Sequence, residues 1–380
     1  MSPDVLIVAP TAGGHHAEYL RWITRGLAGR DLEVAVAAHP ALLDLEDDVL
    51  NGAAGFALEV GHLEDAGSLW EVGRATAALI RDVVEKTQAR RVFVPYLDHA
   101  QLGLATGLRF GFETRISGIL LRAAAEPDRS LRGVRKAVLL RLAARNPHLE
   151  TVLALDPDAV APLRRAGLEA AWLPDPVEPP RPSRPADEVR ADLGLEAGRR
   201  MLLLFGSLEE RKGVFETLAA LEAVPAEAAR RLAVVVAGTA YDALRPRLDA
   251  ALESARRTEA QVVFREGFVS DGDLDAMVCA ADAVLALYRG HVGSSGVVLR
   301  AAAAGRPLIA TDEGMIGREV RAHRLGQTVD VSDRVAVAAA LGRATTEPGA
   351  GFVLEGARAY AQAHSVGRFV DTIVGALDLE

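Results

Sequence analysis

Cysteine is almost absent from this chain, and that scarcity excludes whole classes of protein. One thiol, Cys279, in 380 residues rules out a disulfide framework and a cysteine-built zinc site. Its neighbours Met277, Val278, Ala280 and Ala281 are apolar, so a buried, unreactive thiol and a reducing, cytoplasmic location are expected. Long apolar runs are missing as well. No uninterrupted stretch approaches the roughly 20 residues of a membrane span, and the opening MSPDVLIVAP has no basic region followed by a long apolar one. Positive charge is not in excess either. The net charge is −9, which argues against general nucleic-acid binding, because phosphate backbones need a cationic surface.

What the chain does contain is a long alternation of apolar runs and amphipathic stretches. Half of it is hydrophobic, enough for two domains with proper cores. Residues 5–9 read as a buried strand leading into Thr11-Ala12-Gly13-Gly14-His15-His16. A helix follows, with Tyr19, Leu20, Ile23 and Leu27 on one face, and then a strand at 33–37. This βαβ opening puts Gly13, Gly14, His15 and His16 at the carboxyl end of the first strand, where open parallel sheets bind ligands. The histidines are either ligand contacts or solvated residues at a helix start. Adjacent positions on a helix diverge by about 100°, so the pair does not chelate one metal.

A helix at 70–85 and a strand at 91–94 lead to Pro95-Tyr96-Leu97-Asp98-His99-Ala100-Gln101, again polar groups at a strand end. Asp98 and His99 suit acid–base or sugar-hydroxyl contacts; the alternative is an Asp N-cap beside an exposed neighbour. Strands at 116–121, 151–155 and 170–173 follow, the last two flanking a helix that opens with Asp156-Pro157. Between them, the segment 129–145 is basic and amphipathic. Arg129, Arg132, Arg135, Lys136, Arg141 and Arg145 interleave with Leu131, Val134, Val138, Leu139 and Leu142. It reads as an ordinary surface helix with a solvated face, or as a helix making a weak peripheral contact with an anionic membrane.

Six prolines in PDPVEPPRPSRP, 174–185, form an extended connector. Beyond it a second series starts, with strands at 201–205, 232–237, 262–264 and 283–287 and helices from about 213, at 244–255 and at 274–280. The expected architecture is α/β: two doubly wound Rossmann-like domains facing each other across a cleft. The corresponding division is 1–175, a Pro-rich linker at 176–187, a second domain at 188–355 and a terminal segment at 356–380.

Two stretches of the second half carry chemistry. In GSLEERKG, Arg211 and Lys212 stand just before a helix whose buried stripe is Val214, Leu218 and Leu221, so both cations sit at an electropositive helix start. They suit a diphosphate, although a solvated Glu-Glu-Arg-Lys turn is the plainer alternative. In HVGSSGVVLRAAAAGRPLIATDEG, a Gly/Ser turn precedes a helix at 295–304, whose opening N–H groups lack partners within the helix. Gly293 and Gly296 allow close approach of an anion, and Ser294 and Ser295 add hydroxyl donors; a plain βαβ unit with a Gly-rich turn is the alternative. Ser270 and Asp273 are expected to form a capping box rather than part of a metal site.

GSLEERKG, GFVSDGDLDAMVCAADAVLAL and SSGVVLRAAAAGRPLIATDEG resemble the successive signatures of the carboxyl-terminal domain of family-4 glycosyltransferases, which have the two-domain GT-B fold. The likeness is specific over about 201–330 and fainter before Pro174. ARAYAQAHSVGRFVDTIVGAL is similar to the family's terminal helix, which crosses back onto the first domain. The resemblance implies retaining transfer of a sugar from a nucleoside diphosphate to a small-molecule acceptor, with no bound metal and no cofactor beyond the donor substrate. It also implies that Arg211 and Lys212, following the Gly206 turn, clamp the diphosphate, and that Ser294, Ser295 and Gly296 donate to phosphate and sugar. Val269, after Gly267, would bind the base through its backbone and His99 would contact the transferring sugar. Gly14, His15, His16 and Asp98 occupy places that bind sugar or acceptor.

One departure stands out. The family usually has two Glu residues eight positions apart at the helix start, the second gripping the ribose, where this chain has Val292 and Arg300. Arg cannot accept hydrogen bonds. Arg300 therefore joins the donor-site candidates as a different grip or a contact to an additional anionic group. Alternatively the site is degenerate, and the protein binds a ligand or a partner without catalysis.

Overall fold

The computed structural model describes residues 2–12, 16–44, 49–106, 108–110, 113–123 and 131–379. Gly13, Gly14, His15 and Arg129 lie outside the described residues, as do the side chains of Leu131, Arg132 and Lys136. The chain divides into two compact units, one of Met1–Pro174 with Val366–Glu380 and one of Asp175–Ser365.

The first unit is built on seven parallel strands: β1 (Val5–Ala9), β2 (Val34–Ala38), β3 (Ala54–Ala57), β4 (Arg91–Val94), β5 (Arg115–Leu120), β6 (Leu149–Ala154) and β7 (Glu169–Trp172). Their order is β3-β2-β1-β4-β5-β6-β7, with Val5 opposite Val34 and Leu6 opposite Val92. Helices cover both faces, so β1 is VLIVA with every residue buried rather than an alternating strand. The order reverses between β1 and β4, which makes the carboxyl ends of those two strands a topological switch point.

Helix His16–Ala28 buries Tyr19, Leu20, Ile23 and Leu27, the face its spacing predicts. Helix Val366–Ala376 packs on it and buries Phe369 completely. Gly26 makes the contact feasible, because a Cβ there would fall 2.3 Å from Val370 Cγ1. The end of the chain is tied in further by Arg91 Nε donating to the Leu377 carbonyl at 2.8 Å and Ser117 Oγ to that of Ala376 at 3.0 Å.

The terminal segment, expected as one helix, is two. Leu354–Ala363 lies in the second unit, where it packs on helix Gly296–Ala303, and the chain breaks at His364 and Ser365 before Val366–Ala376 begins. The break has a cause in hydrogen bonding. Val177 N donates to the His364 carbonyl at 2.8 Å, and Val177 forms a parallel bridge with Ser365.

The second unit holds six parallel strands: β8 (Arg200–Phe205), β9 (Leu232–Gly238), β10 (Gln261–Glu266), β11 (Ala283–Ala286), β12 (Leu308–Thr311) and β13 (Gly326–Val329), in the order β10-β9-β8-β11-β12-β13. Here the reversal falls between β8 and β11. Each sheet is thus doubly wound, as expected. The Pro-rich stretch is extended and runs along this unit. Arg181 N donates to Asp275 Oδ2 at 2.7 Å and Ser183 Oγ to Asp273 Oδ1 at 2.7 Å, and helix Ala186–Asp192 starts inside the stretch expected as linker. Cys279 is half-buried, not buried; the burial it has pushes its thiol above the usual range, which keeps it protonated.

Candidate active site

The loops after β8 and β11 meet at the switch point of the second sheet. After β8, Gly206 takes φ +111° and the chain turns through Glu210–Lys212 to Gly213 at φ +71°, where helix Val214–Ala220 begins. Gly213 lets the two loops touch: a Cβ there would lie 1.8 Å from the Leu287 carbonyl oxygen. That close approach brings Lys212 Nζ to 2.9 Å from the Tyr288 hydroxyl, with Ser295 Oγ 3.4 Å from the same oxygen. The ammonium also lies 3.3 Å from where a Cβ on Gly206 would sit, so the glycine leaves room for the cation.

Arg211 is held by both loops. Its Nε donates to Glu209 Oε2 at 2.6 Å and its Nη1 reaches His291 Nδ1 at 3.1 Å. His291 Nε2 lies 2.9 Å from the Ser294 carbonyl, so that nitrogen carries the proton and Nδ1 accepts from Arg211. Burial holds the His291 imidazole below its usual range. The bond to Ser294 opposes this shift, while Arg211 and Lys212 reinforce it. A neutral His291 therefore fits the network.

The turn that follows keeps its donors available. Ser295 is the N-cap of helix Gly296–Ala303, yet its hydroxyl makes no capping bond. Ser294 Oγ is buried without a hydrogen-bond partner. A buried hydroxyl and uncapped helix N–H groups beside an ammonium form an arrangement suited to an oxyanion. Val292, just before this turn, is 51% exposed.

Arg300 is engaged elsewhere. Its Nη1 bonds Asp275 Oδ1 at 2.9 Å and its Nη2 bonds Asp271 Oδ1 at 3.0 Å, both on helix Asp271–Ala280. Asp275 in turn accepts from Arg181 N, so Arg300 links its own helix to the preceding one and, through Asp275, to the proline stretch. At the other end of that helix's entry loop, Phe268 is 92% exposed and Val269 packs half-buried against the core. The Ser270 capping box is present. Its Oγ accepts from Asp273 N at 3.3 Å and donates to Asp273 Oδ2 at 2.9 Å.

In the first unit, the loops after β1 and β4 also converge at a switch point. The His16 ring stacks on Tyr96 with centroids 3.4 Å apart, and its Nδ1 lies 3.1 Å from Thr11 Oγ1. Asp98 is not a helix N-cap: its carboxylate accepts from Leu121 N at 2.7 Å and fixes the end of β5 to the 97–99 turn. His99 is half-buried and its Nδ1 is buried with no partner. Gly14 and His15 lie outside the described residues.

Tyr288 and His291 were given no role by the sequence reasoning. The signal was available, since both fall in the loop between an apolar strand and the Gly/Ser turn. What the sequence cannot supply is the loop after β8, whose Lys212 and Arg211 give each of them a partner.

Residues 199–347 match the family model for glycosyl transferases group 1. That span contains every residue of the Lys212, Tyr288 and Ser295 cluster. The group 1 domain is accompanied by likeness of the whole chain to solved structures. HepE of Anabaena, in complex with UDP, superposes with a TM-score of 0.75 at 15% identity over 100% of both chains. Sucrose-phosphate synthase of Thermosynechococcus elongatus gives 0.74 at 20% identity, over 99% of this chain and 98% of that one. WaaG, a glycosyltransferase involved in lipopolysaccharide biosynthesis, gives 0.69 at 18% identity over 98% and 99%. At such identities the likeness establishes the fold, which is the GT-B fold of glycosyltransferases. No curated protein sequence matches the chain.

Proposed function

We propose that the protein is a glycosyltransferase that moves a sugar from a nucleoside-diphosphate donor to a small acceptor. The observation that carries this reading is the Lys212, Tyr288 and Ser295 contact at the β8/β11 switch point, inside the span that matches group 1 glycosyltransferases. HepE has been solved with UDP and with UDP-glucose, which supports a nucleotide sugar as the donor class.

Lys212 bonds Tyr288 through one of its three N–H groups, leaving two for a diphosphate oxygen. Arg211, already steadied by Glu209 and His291, adds a second, more exposed cation. Ser294 Oγ and the first N–H groups of Gly296–Ala303 complete the set. Donors fixed in advance stabilise negative charge as it grows on the departing phosphate, and they lower the barrier because they need no reorganisation. In this reading the two cations offset the leaving-group charge in place of a metal, Gly206 gives the phosphate room, and Val269 faces the base. Retention of configuration follows from the sequence resemblance. His99, with an unpartnered Nδ1, contacts the sugar; Gly14, His15, His16 and Asp98 border the sugar or acceptor.

Arg300 acts through Asp271 and Asp275 as a positioning residue for helix Asp271–Ala280. The same ion pairs favour a second reading, a ligand-binding protein without catalysis, since this chain has no Glu at the ribose position. Incubation with a panel of nucleotide sugars separates the two. The proposal expects release of nucleoside diphosphate that drops sharply in Lys212→Ala; binding of donors with no release in the presence of a broad acceptor set would favour the second reading.

A further inference from the structure

Helix Leu131–Ala143 has an apolar face that the core does not use. Leu140 packs on the core of the first unit and Ala143 is buried, whereas Val134, Val138 and Leu142 are 54%, 47% and 40% exposed. Spaced four residues apart, they advance by about 40° per step around the helix and form a single stripe. By the same geometry Arg141 lies about 20° to one side of Val134 and Arg135 about 20° beyond Leu142, so two exposed cations edge the stripe. Arg145 is exposed just past the helix end. No Asp or Glu occurs anywhere from residue 129 to residue 149.

We propose that this helix docks the protein on an anionic lipid bilayer surface. It lies in the plane of the headgroups, with Val134, Val138 and Leu142 entering the acyl boundary and Arg135, Arg141 and Arg145 at lipid phosphates. The charge pattern selects this occupant. A second copy of the chain pairing stripe to stripe would set arginines against arginines with no carboxylate of this segment between them, whereas lipid phosphates complement every cation. The chain as a whole carries −9, so net charge does not draw it to anionic lipid and the attraction has to come from a local cationic surface such as this helix. Three half-exposed side chains are too small an anchor alone, which makes the contact reversible and dependent on charge. Among the described residues no helix is long and apolar enough to cross a membrane, in keeping with in-plane binding.

The test is co-sedimentation of the whole protein with vesicles of phosphatidylcholine alone and of phosphatidylcholine mixed with phosphatidylglycerol. Binding is expected only to the mixed vesicles at low ionic strength, and it should vanish near 1 M salt, where screening acts over about 3 Å. The variant Arg135→Gln/Arg141→Gln should bind about thirtyfold more weakly, at about 1 kcal/mol for each cation near the surface. Val134→Ser/Val138→Ser/Leu142→Ser should also lose binding. Unchanged circular dichroism and melting would show that these exposed changes leave the fold intact. Absence of binding by the wild type overturns the proposal, as does equal binding by the charge variant. Self-association that is abolished by the serine variant, with no vesicle binding, would assign the stripe to a dimer interface instead.

Discussion

Lys212 Nζ and the Tyr288 hydroxyl, 76 residues apart in the sequence, meet at 2.9 Å. The bond crosses from the loop after β8 to the loop after β11, two neighbouring strands whose onward connections leave in opposite directions. It fixes a flexible cation before any ligand arrives. Replacing Lys212 by Ala should weaken binding of a nucleoside diphosphate by about 1.5–3 kcal/mol, the range for a hydrogen bond to a charged group. Tyr288→Phe keeps the cation but frees it, and about 0.5–1.5 kcal/mol should be lost. Arg211→Ala should cost less than Lys212→Ala, since Arg211 is more exposed and partly offset by Glu209. Calorimetry with a panel of nucleoside diphosphates checks all three; wild-type affinity in Lys212→Ala would remove the lysine from the site.

Gly213→Ala should damage both stability and binding. The residue sits at φ +71° and its Cβ would collide with the Leu287 carbonyl, so the loops after β8 and β11 must part. A loss of about 2 kcal/mol or more is expected from the left-handed backbone and the clash together. Urea midpoints measure it, and a variant as stable as the wild type would show that the two loops are not forced together.

Arg300→Ala should appear first in stability. It removes the guanidinium from both Asp271 and Asp275, the latter 9% exposed, and a loss of about 1–3 kcal/mol is expected because Asp275 is left with only the Arg181 N–H. Arg300→Glu should cost more, because a third carboxylate would join the two. Donor affinity should fall only as far as helix Asp271–Ala280 shifts. If Arg300→Glu matches the wild type in urea midpoint and binds donor more tightly, the positioning role is wrong.

Stability should fall on mild acidification. His291, His323 and His364 are all held below the ordinary value of 6.5, each by burial first. A proton binds them more weakly in the folded than in the unfolded chain. Their contribution is therefore complete above about pH 6.5 and is lost as pH falls below it toward the folded values. Urea midpoints from about pH 8 to about pH 5 should trace this decline, and His364→Asn, which retains a donor for the Asp175 carbonyl, should flatten part of it. A midpoint that rises with acidity over that range would contradict the sign.

The double alternation was legible because parallel strands covered on both faces are written as unbroken apolar runs. The sequence reading of β1 coincides with the observed strand, and those of β8, β9 and β11 lie within a residue. Two edge strands were not. β3, AGFA, is exposed throughout and β13, GQTV, is mostly half-buried, so neither has the apolar signature of a central strand. The Gly/Ser turn and the Arg211-Lys212 pair stood out because glycine, serine and paired cations at a helix start have few structural uses. Arg300 stands out for the same reason, yet its partners are hidden in the sequence. Nothing near it in sequence needs a cation, and its partners Asp271 and Asp275 come from the preceding helix, with the alternation of charge visible only once the two helices are side by side. The stripe of Val134, Val138 and Leu142 shows the converse limit, since spacing gives a face but not whether the core or the solvent receives it.

Helix Val366–Ala376 gives the first unit a discontinuous chain, and this orders events during synthesis. Residues 1–174 leave the ribosome with the surface of helix His16–Ala28 that should receive Phe369 and Val370 still bare. All of 175–365 must be translated before that surface is covered. The later unit, continuous in sequence, is therefore the one able to complete its core first, reversing the usual amino-to-carboxyl order of domain maturation.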